Sequence, residues 1–242
     1  MQAVYGKDWN GKLAKAVTYL PDDEDRSQEQ GMVVTYVAQS TLANGDTVLV
    51  TNAVPADENG QAMIAHVTLG MLNVYVLRKV NGAWGTIKSH ESITRLGSSG
   101  SLGEIKWVSL GKDRLGLAVL HGGTWQGSTI ELLSLFDPQA DVVTDLTDQV
   151  RIASDNEGGC DPEGEAECWK TVGDWKMAPS LSGGETHDIV IAFTHEVSNL
   201  NTNAEGGATA LRDVKKSQMK ARYVFDGKKY RLMSGANPVR TF

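Results

Sequence analysis

From Gly31 to Met233 the chain is a succession of short apolar or alternating runs separated by turn residues, with no helical period between them. That pattern restricts the fold more than any other feature. Period-two alternation places successive side chains on opposite faces of a strand, and strands joined without intervening helices pair antiparallel. Three connections are Asn-Gly or Asp-Gly, at Asn44-Gly45, Asn81-Gly82 and Asp226-Gly227. These dipeptides accept the positive φ values that tight hairpin turns demand.

The runs predict an all-β fold: an antiparallel meander of about twelve strands in three four-stranded blocks. Block one is MVVTYVAQ, DTVLVTNAV, LNVYVLRKV and AWGTIKSHESI. Block two is GEIKWVSL, RLGLAVLH, STIELLSLF and DVVTDLTDQVRI. Block three is AECWKTVGDWKM, HDIVIAFTHEV, SQMKARYVF and KKYRLM. A sandwich, a clam-like barrel and a propeller-like array all accommodate three such blocks. Glycine-rich GSSGSLG, residues 97 to 103, is the flexible connection between the first two.

One helix is expected, and it lies near the N-terminus. Trp9, Leu13, Ala16, Val17 and Leu20 recur at helical spacing in KDWNGKLAKAVTYLP, and Pro21 ends the run. PDDEDRSQEQG follows as a solvated acidic linker. The organisation expected is residues 1–30 as helix and linker, then a single β-rich domain over 31–242.

With 242 residues, 40% of them hydrophobic, the chain can bury a substantial core without a metal or cofactor. No window approaches the roughly 18 apolar residues of a membrane-spanning helix, so no membrane span is expected. Acids outnumber bases 30 to 23, for a net charge of −7, which argues against a nucleic-acid partner. Neither a Rossmann-type nor a P-loop phosphate motif occurs, which disfavours nucleotide-dependent enzymes.

Cys160 and Cys168 bracket seven polar, proline- and glycine-containing residues in CDPEGEAEC. That spacing suits a small disulfide loop, worth about 2.5 kcal/mol by loop closure and durable only in an oxidising compartment. The expected location is therefore the bacterial periplasm or the extracellular space, with a leader peptide removed ahead of Met1. Neighbouring free thiols in a cytosolic protein are the alternative. Two thiolates with no histidine nearby do not make a zinc site.

Residues 155 to 167 carry six carboxylates and no base. Calcium takes six to eight oxygen ligands, and no other cofactor is called for. Asp155, Asn156, Glu157 and Asp161 are the candidate donors, set against an ordinary solvated loop.

HGGTWQG, residues 121 to 127, joins two predicted strands, and Gly122, Gly123 and Gly127 supply a turn. An oxyanion-loop reading of His121-Gly122-Gly123 needs a G-x-S-x-G elbow, and none occurs. Trp125 is either an aromatic platform for a sugar or peptide, or a ring folded back on the core. His187 and His195 stand on one strand about 27 Å apart, too far to share a metal. His66 and His90 lack partners at diagnostic spacing, and no catalytic set assembles.

Residues 212 to 231 hold eight bases and two acids. A two-residue turn at Asp226-Gly227 would pair Tyr223 with Tyr230, Val224 with Lys229, and Arg222 with Arg231. Arg222, Arg231, Lys220 and Lys229 would then form a basic patch for an anionic partner. The function expected is an exported, non-catalytic binding protein that recognises a protein, for example as an inhibitor of an envelope enzyme, or a glycan. The alternative is a hydrolase of envelope or extracellular polymers acting through paired carboxylates, whose separation is a property of the fold.

Overall fold

A computed structural model describes residues 1–160, 167–200 and 212–241. The protein is all-β, with fourteen antiparallel strands among the described residues. A single α-helical turn, α1 (Gln2–Tyr5), and a 3-10 turn (Gly6–Asp8) precede them.

Six strands form the first sheet in chain order: β1 (Trp9–Asn10), β2 (Lys15–Pro21), β3 (Glu29–Thr41), β4 (Thr47–Pro55), β5 (Gly70–Val80) and β6 (Ala83–Leu96). Eight form the second, also in chain order: β7 (Glu104–Gly111), β8 (Arg114–Trp125), β9 (Ser128–Phe136), β10 (Val150–Asp155), β11 (Cys168–Ala178), β12 (Asp188–Leu200), β13 (Arg212–Phe225) and β14 (Tyr230–Gly235). The three expected blocks thus become two sheets. Residues 141 to 148 of the predicted strand DVVTDLTDQVRI are a connection, and only its end enters β10.

The chain divides into two compact units. The first is residues 1–121 with 134–146, and the second is 122–133 with 147–242.

In the first unit both faces of the six-stranded sheet are buried. Ala16, Leu20, Met32, Val34, Leu49, Met71 and Tyr75 point to one side, where Tyr5 of α1 joins them. Val48, Val50, Leu72, Val74 and Val76 point to the other, against Leu117, Val119, Phe136 and Val143. Burial on two sides explains why β4, and β5 from Gly70 to Leu77, do not alternate between apolar and polar, since neither stretch has a solvent face.

The N-terminal helix expected over residues 9 to 20 is a β-hairpin instead. Asn10 Oδ1 accepts the N–H groups of Lys12 (3.0 Å) and Leu13 (3.2 Å) and turns the chain, and β2 then alternates. Ala16 and Leu20 are buried, whereas Val17 and Tyr19 are exposed. A spacing of four residues belongs to both periodicities, so Ala16 and Leu20 did not discriminate between them. The β-branched and aromatic run Val17-Thr18-Tyr19 favours the strand. Residues 1–30 accordingly belong to the first sheet: β2 pairs with β3, and the acidic stretch is their connection, held where Arg95 grips Asp23 at 2.7 Å.

The second unit is simpler. Ile189, Ile191 and Phe193 of β12 pack with Ala221 and Tyr223 of β13, and Ile152 of β10 is buried as well. β11 passes this cluster at Gly173, where an added Cβ would stand 2.7 Å from the Phe193 ring and 2.7 Å from the Ile152 carbonyl.

Candidate functional site

Two features far apart in sequence, joined through Gly127 and Gly158, meet on the second unit. β8 extends through His121-Gly122-Gly123-Thr124 to Trp125, so the connection expected to span six residues is only Gln126-Gly127. Both have positive φ, 49° and 82°, the signature of a two-residue hairpin. Gly122 and Gly123 are strand residues. Gly122 lies where a side chain would strike the backbone of Ile130, and Gly123 gives room to the Trp125 ring, which folds down upon it. Trp125 is therefore half-exposed on its own strand.

The tip of this hairpin rests on the base of the acidic loop. The Gly158 N–H donates to the Gly127 carbonyl at 3.0 Å. Glycine on each side permits the approach, since a Cβ on Gly127 would overlap the Gly158-Gly159 backbone. Cys160 and Cys168 are disulfide-bonded, with Cα atoms 5.6 Å apart, and they close the loop immediately beyond.

Trp169 follows the bridge on β11. Its N–H donates to Asn156 Oδ1 at 2.8 Å, and the Asn156 amide donates to the Glu167 carbonyl at 2.9 Å. The guanidinium of Arg240 lies 5.1 Å from the indole centroid and also pairs with Glu167 at 2.8 Å. A shallow cleft runs from Glu157 past Trp169 and Lys170 to Glu196 and Val214.

Its charges alternate across the strands. Lys170 pairs with Glu157 at 2.9 Å, Lys170 stands opposite Glu196 in the sheet, and Glu196 pairs with Lys216 at 2.7 Å. The Glu157 hydrogen bond, with help from Asp155 and Glu196, raises the Lys170 pKa. The result is a mixed, charge-compensated surface beside an indole, braced by a covalent bridge.

Of the proposed calcium donors, Asp155 Oδ1 accepts the Glu157 N–H at 3.1 Å, Asn156 is spent on the loop backbone, and Glu157 is paired with Lys170. Asp161 lies outside the described residues. Among the described residues no group of three or more His, Cys, Asp or Glu side chains is placed to hold a metal ion.

The basic hairpin is rearranged relative to expectation. Phe225 pairs with Tyr230, Val224 with Arg231, and a bulge then sets Arg222 opposite Ser234. Arg222 and Arg231 do not face each other. The cause is the Asp226 side chain, whose Oδ1 accepts the N–H groups of Lys228 (2.8 Å) and Lys229 (2.7 Å). This capping makes a four-residue connection and shifts the register. Arg222 pairs with the fully buried Asp188 at 2.5 Å. Lys229 pairs with Asp148, while Arg231 lies 3.5 Å from Asp148 and 3.3 Å from Asp226. Lys220 is exposed on the outer face of β13.

A histidine, a serine and an aspartate do come together, in the first unit. His121 Nε2 lies 3.0 Å from Ser134 Oγ, and Ser134 donates to Asp145 Oδ2 at 2.9 Å. The single serine proton goes to the carboxylate, so His121 donates from Nε2. In a hydrolytic triad the imidazole stands between acid and serine and takes the proton; here the serine is in the middle and fully buried. Burial also lowers the His121 pKa. The group is a buried structural network. His195 Nδ1 likewise lies 2.8 Å from Thr171 Oγ1 across the β11–β12 pair.

No known protein family, curated protein or solved structure matches this chain.

Proposed function

We propose that this is a binding protein of an oxidising, extracytoplasmic compartment, and that it recognises a glycan through the disulfide-braced surface of its second unit. One observation carries the reading: the hairpin bearing Trp125 is hydrogen-bonded, Gly158 to Gly127, to the loop whose bridge immediately precedes Trp169. Two indoles are thereby mounted on one rigid frame. Aromatic faces flanked by fixed polar groups recognise sugars and exposed peptide surfaces, and rigid mounting lowers the ordering cost of binding. The disulfide supports the compartment, since such bridges persist where thiols are oxidised.

The alternative, a polymer hydrolase with paired carboxylates, needs an acid that stays protonated near neutral pH. Asp22, Asp25, Asp46, Asp141 and Asp226 are displaced the other way, each held below the usual carboxylate range chiefly by hydrogen bonds donated to it.

Calorimetry against a panel of neutral and anionic oligosaccharides tests the glycan. Trp169→Ala and Trp125→Ala should each weaken binding at least tenfold while leaving the melting temperature close to that of the parent. No saturable heat with any sugar removes the glycan reading. Copurification of a defined envelope protein, lost in the same two variants, would put a protein ligand in its place.

A further inference from the structure

The pairing of the second sheet fixes the face on which each indole stands. Gln126-Gly127 is a two-residue turn, so Trp125 lies opposite Ser128 and Thr124 opposite Thr129, and the two threonine hydroxyls meet at 3.0 Å. Thr129 is opposite Asp155, and Asp155 opposite Lys170. One row of side chains thus crosses the sheet through Thr124, Thr129, Asp155 and Lys170, and continues into Glu196 and Lys216. Residues opposite one another in an antiparallel sheet share a face, and successive residues alternate between faces. Trp125 follows Thr124 and Trp169 precedes Lys170, on strands that run in opposite directions. The two indoles therefore project from the same face, level with each other, and the charged row projects from the other.

The strands that carry the indoles, β8 and β11, are three places apart in the sheet, which separates them by about 14 Å at ordinary strand spacing. Ser128 and Asn156 occupy the intervening positions, and both are half-buried and uncharged. The Trp125 ring is laid along its strand, since its edge comes within 2.7 Å of where a Gly123 Cβ would stand.

Charge beside Trp169 is self-contained. Arg240, 5.1 Å from the indole centroid, is paired with Glu167 at 2.8 Å. The C-terminal segment holds it there: Asn237 donates to the Arg151 carbonyl (2.9 Å) and to the Tyr223 hydroxyl (2.8 Å), and Val239 is buried. The face thus offers two aromatic platforms, a polar strip between them and an ion pair already satisfied.

We propose, resting on the glycan reading above, that this face binds a neutral, linear, β-1,4-linked oligosaccharide laid across the strands, with separate sugar rings stacked on Trp125 and Trp169. One ring covers one indole, so a chain of several is needed to reach both. A β-1,4 linkage keeps such a chain extended and presents the apolar C–H face of each ring, which is what an indole accepts. A charged sugar would meet no unpaired counter-charge between the platforms. Once the first ring is stacked, the second contact is intramolecular, so affinity rises with chain length until both indoles are spanned.

Calorimetry on the whole protein with cellobiose, cellohexaose, chitobiose, chitohexaose, maltohexaose and hexagalacturonate tests the proposal. Cellohexaose or chitohexaose should bind at least tenfold more tightly than its own disaccharide, and at least tenfold more tightly than maltohexaose or hexagalacturonate. In Trp125→Ala and in Trp169→Ala the hexasaccharide should fall to the affinity of the disaccharide, with the melting temperature unchanged. Equal affinities for short and long chains overturn the proposal and leave glycan recognition standing. So do preference for the curled or the anionic hexasaccharide, and a length dependence that survives in either variant. The length and charge comparisons need no mutation, so a variant that fails to fold does not shield the proposal. Absence of binding by every sugar removes the glycan reading and this proposal with it.

Discussion

Asp188, at the start of β12, has no solvent exposure, and Arg222 of β13 donates to its Oδ2 from Nη1 at 2.5 Å. A carboxylate buried this completely is tolerable only while it is paired. Removing one partner of a buried pair costs about 3–5 kcal/mol, because the other charge is left uncompensated. Arg222→Ala should therefore lower unfolding free energy by about 3 kcal/mol in urea titrations, given that the arginine itself is 22% exposed. Arg222→Ala combined with Asp188→Asn should recover much of the loss. Additive single effects would show that the two side chains do not act as a pair.

The Cys160–Cys168 bridge closes a short loop, which sets its contribution. Replacing both cysteines by alanine should cost about 2.5 kcal/mol. Intact mass after alkylation of the native protein without reductant should show no added groups, and two after reduction and unfolding.

Tyr5 predicts a loss of stability in alkali. Burial pushes its pKa up to about 12 from an ordinary value of 10.0, and Tyr75 beside it is pushed upward as well. A group whose pKa is raised on folding stabilises the protein fully below its unfolded pKa, and that stability is lost as pH rises through the folded one. Stability should thus hold up to about pH 10 and fall between there and about pH 12. Tyr5→Phe should flatten that part of the fall while costing about 1 kcal/mol at neutral pH through lost hydrogen bonds. Chemical denaturation across this range measures both.

His121 acts at the opposite end of the pH scale. Its pKa is lowered by burial, so the stability it contributes is present above the ordinary value of 6.5 and is lost as pH falls. The parent should become less stable below about pH 6.5, and His121→Gln should reduce that acid slope.

Gly173 leaves no space for a side chain: an alanine methyl would stand 2.7 Å from the Phe193 ring and the Ile152 carbonyl. Overpacking of this kind costs about 1–3 kcal/mol. Gly173→Ala should lower stability by that amount, and Gly173→Ala with Phe193→Leu should regain part of it, as read from paired melting curves.

Much of this protein is determined by local chemistry and is visible in the chain as written. Alternation with no helical period between runs imposes antiparallel strands, and Asn81-Gly82 makes its two-residue turn with φ values of 52° and 84°. The disulfide is the expectation that the spacing of Cys160 and Cys168 favours over free thiols, and the bridge is present. Local chemistry also misled where it was ambiguous: Ala16 and Leu20 are four apart, a spacing that suits helix and strand alike, and the pairing of β2 with β3, together with the β-branched run beside them, selects the strand.

Tertiary structure decided what depends on remote partners. The last hairpin joins both levels: Asp226 caps its own turn, a local contact that takes Arg222 out of register with Arg231, but the partner of Arg222 is Asp188, 34 residues back. The contact between Gly127 and Gly158, and the descent of Tyr5 and Tyr75 onto Glu91, likewise join segments whose spacing in sequence carries no signal. Strand identity depends on neighbours two to four residues apart, which the sequence displays. Register, ion pairing and sites depend on which strands the meander lays side by side, and that is set only when the whole sheet closes its hydrogen bonds and buries its core.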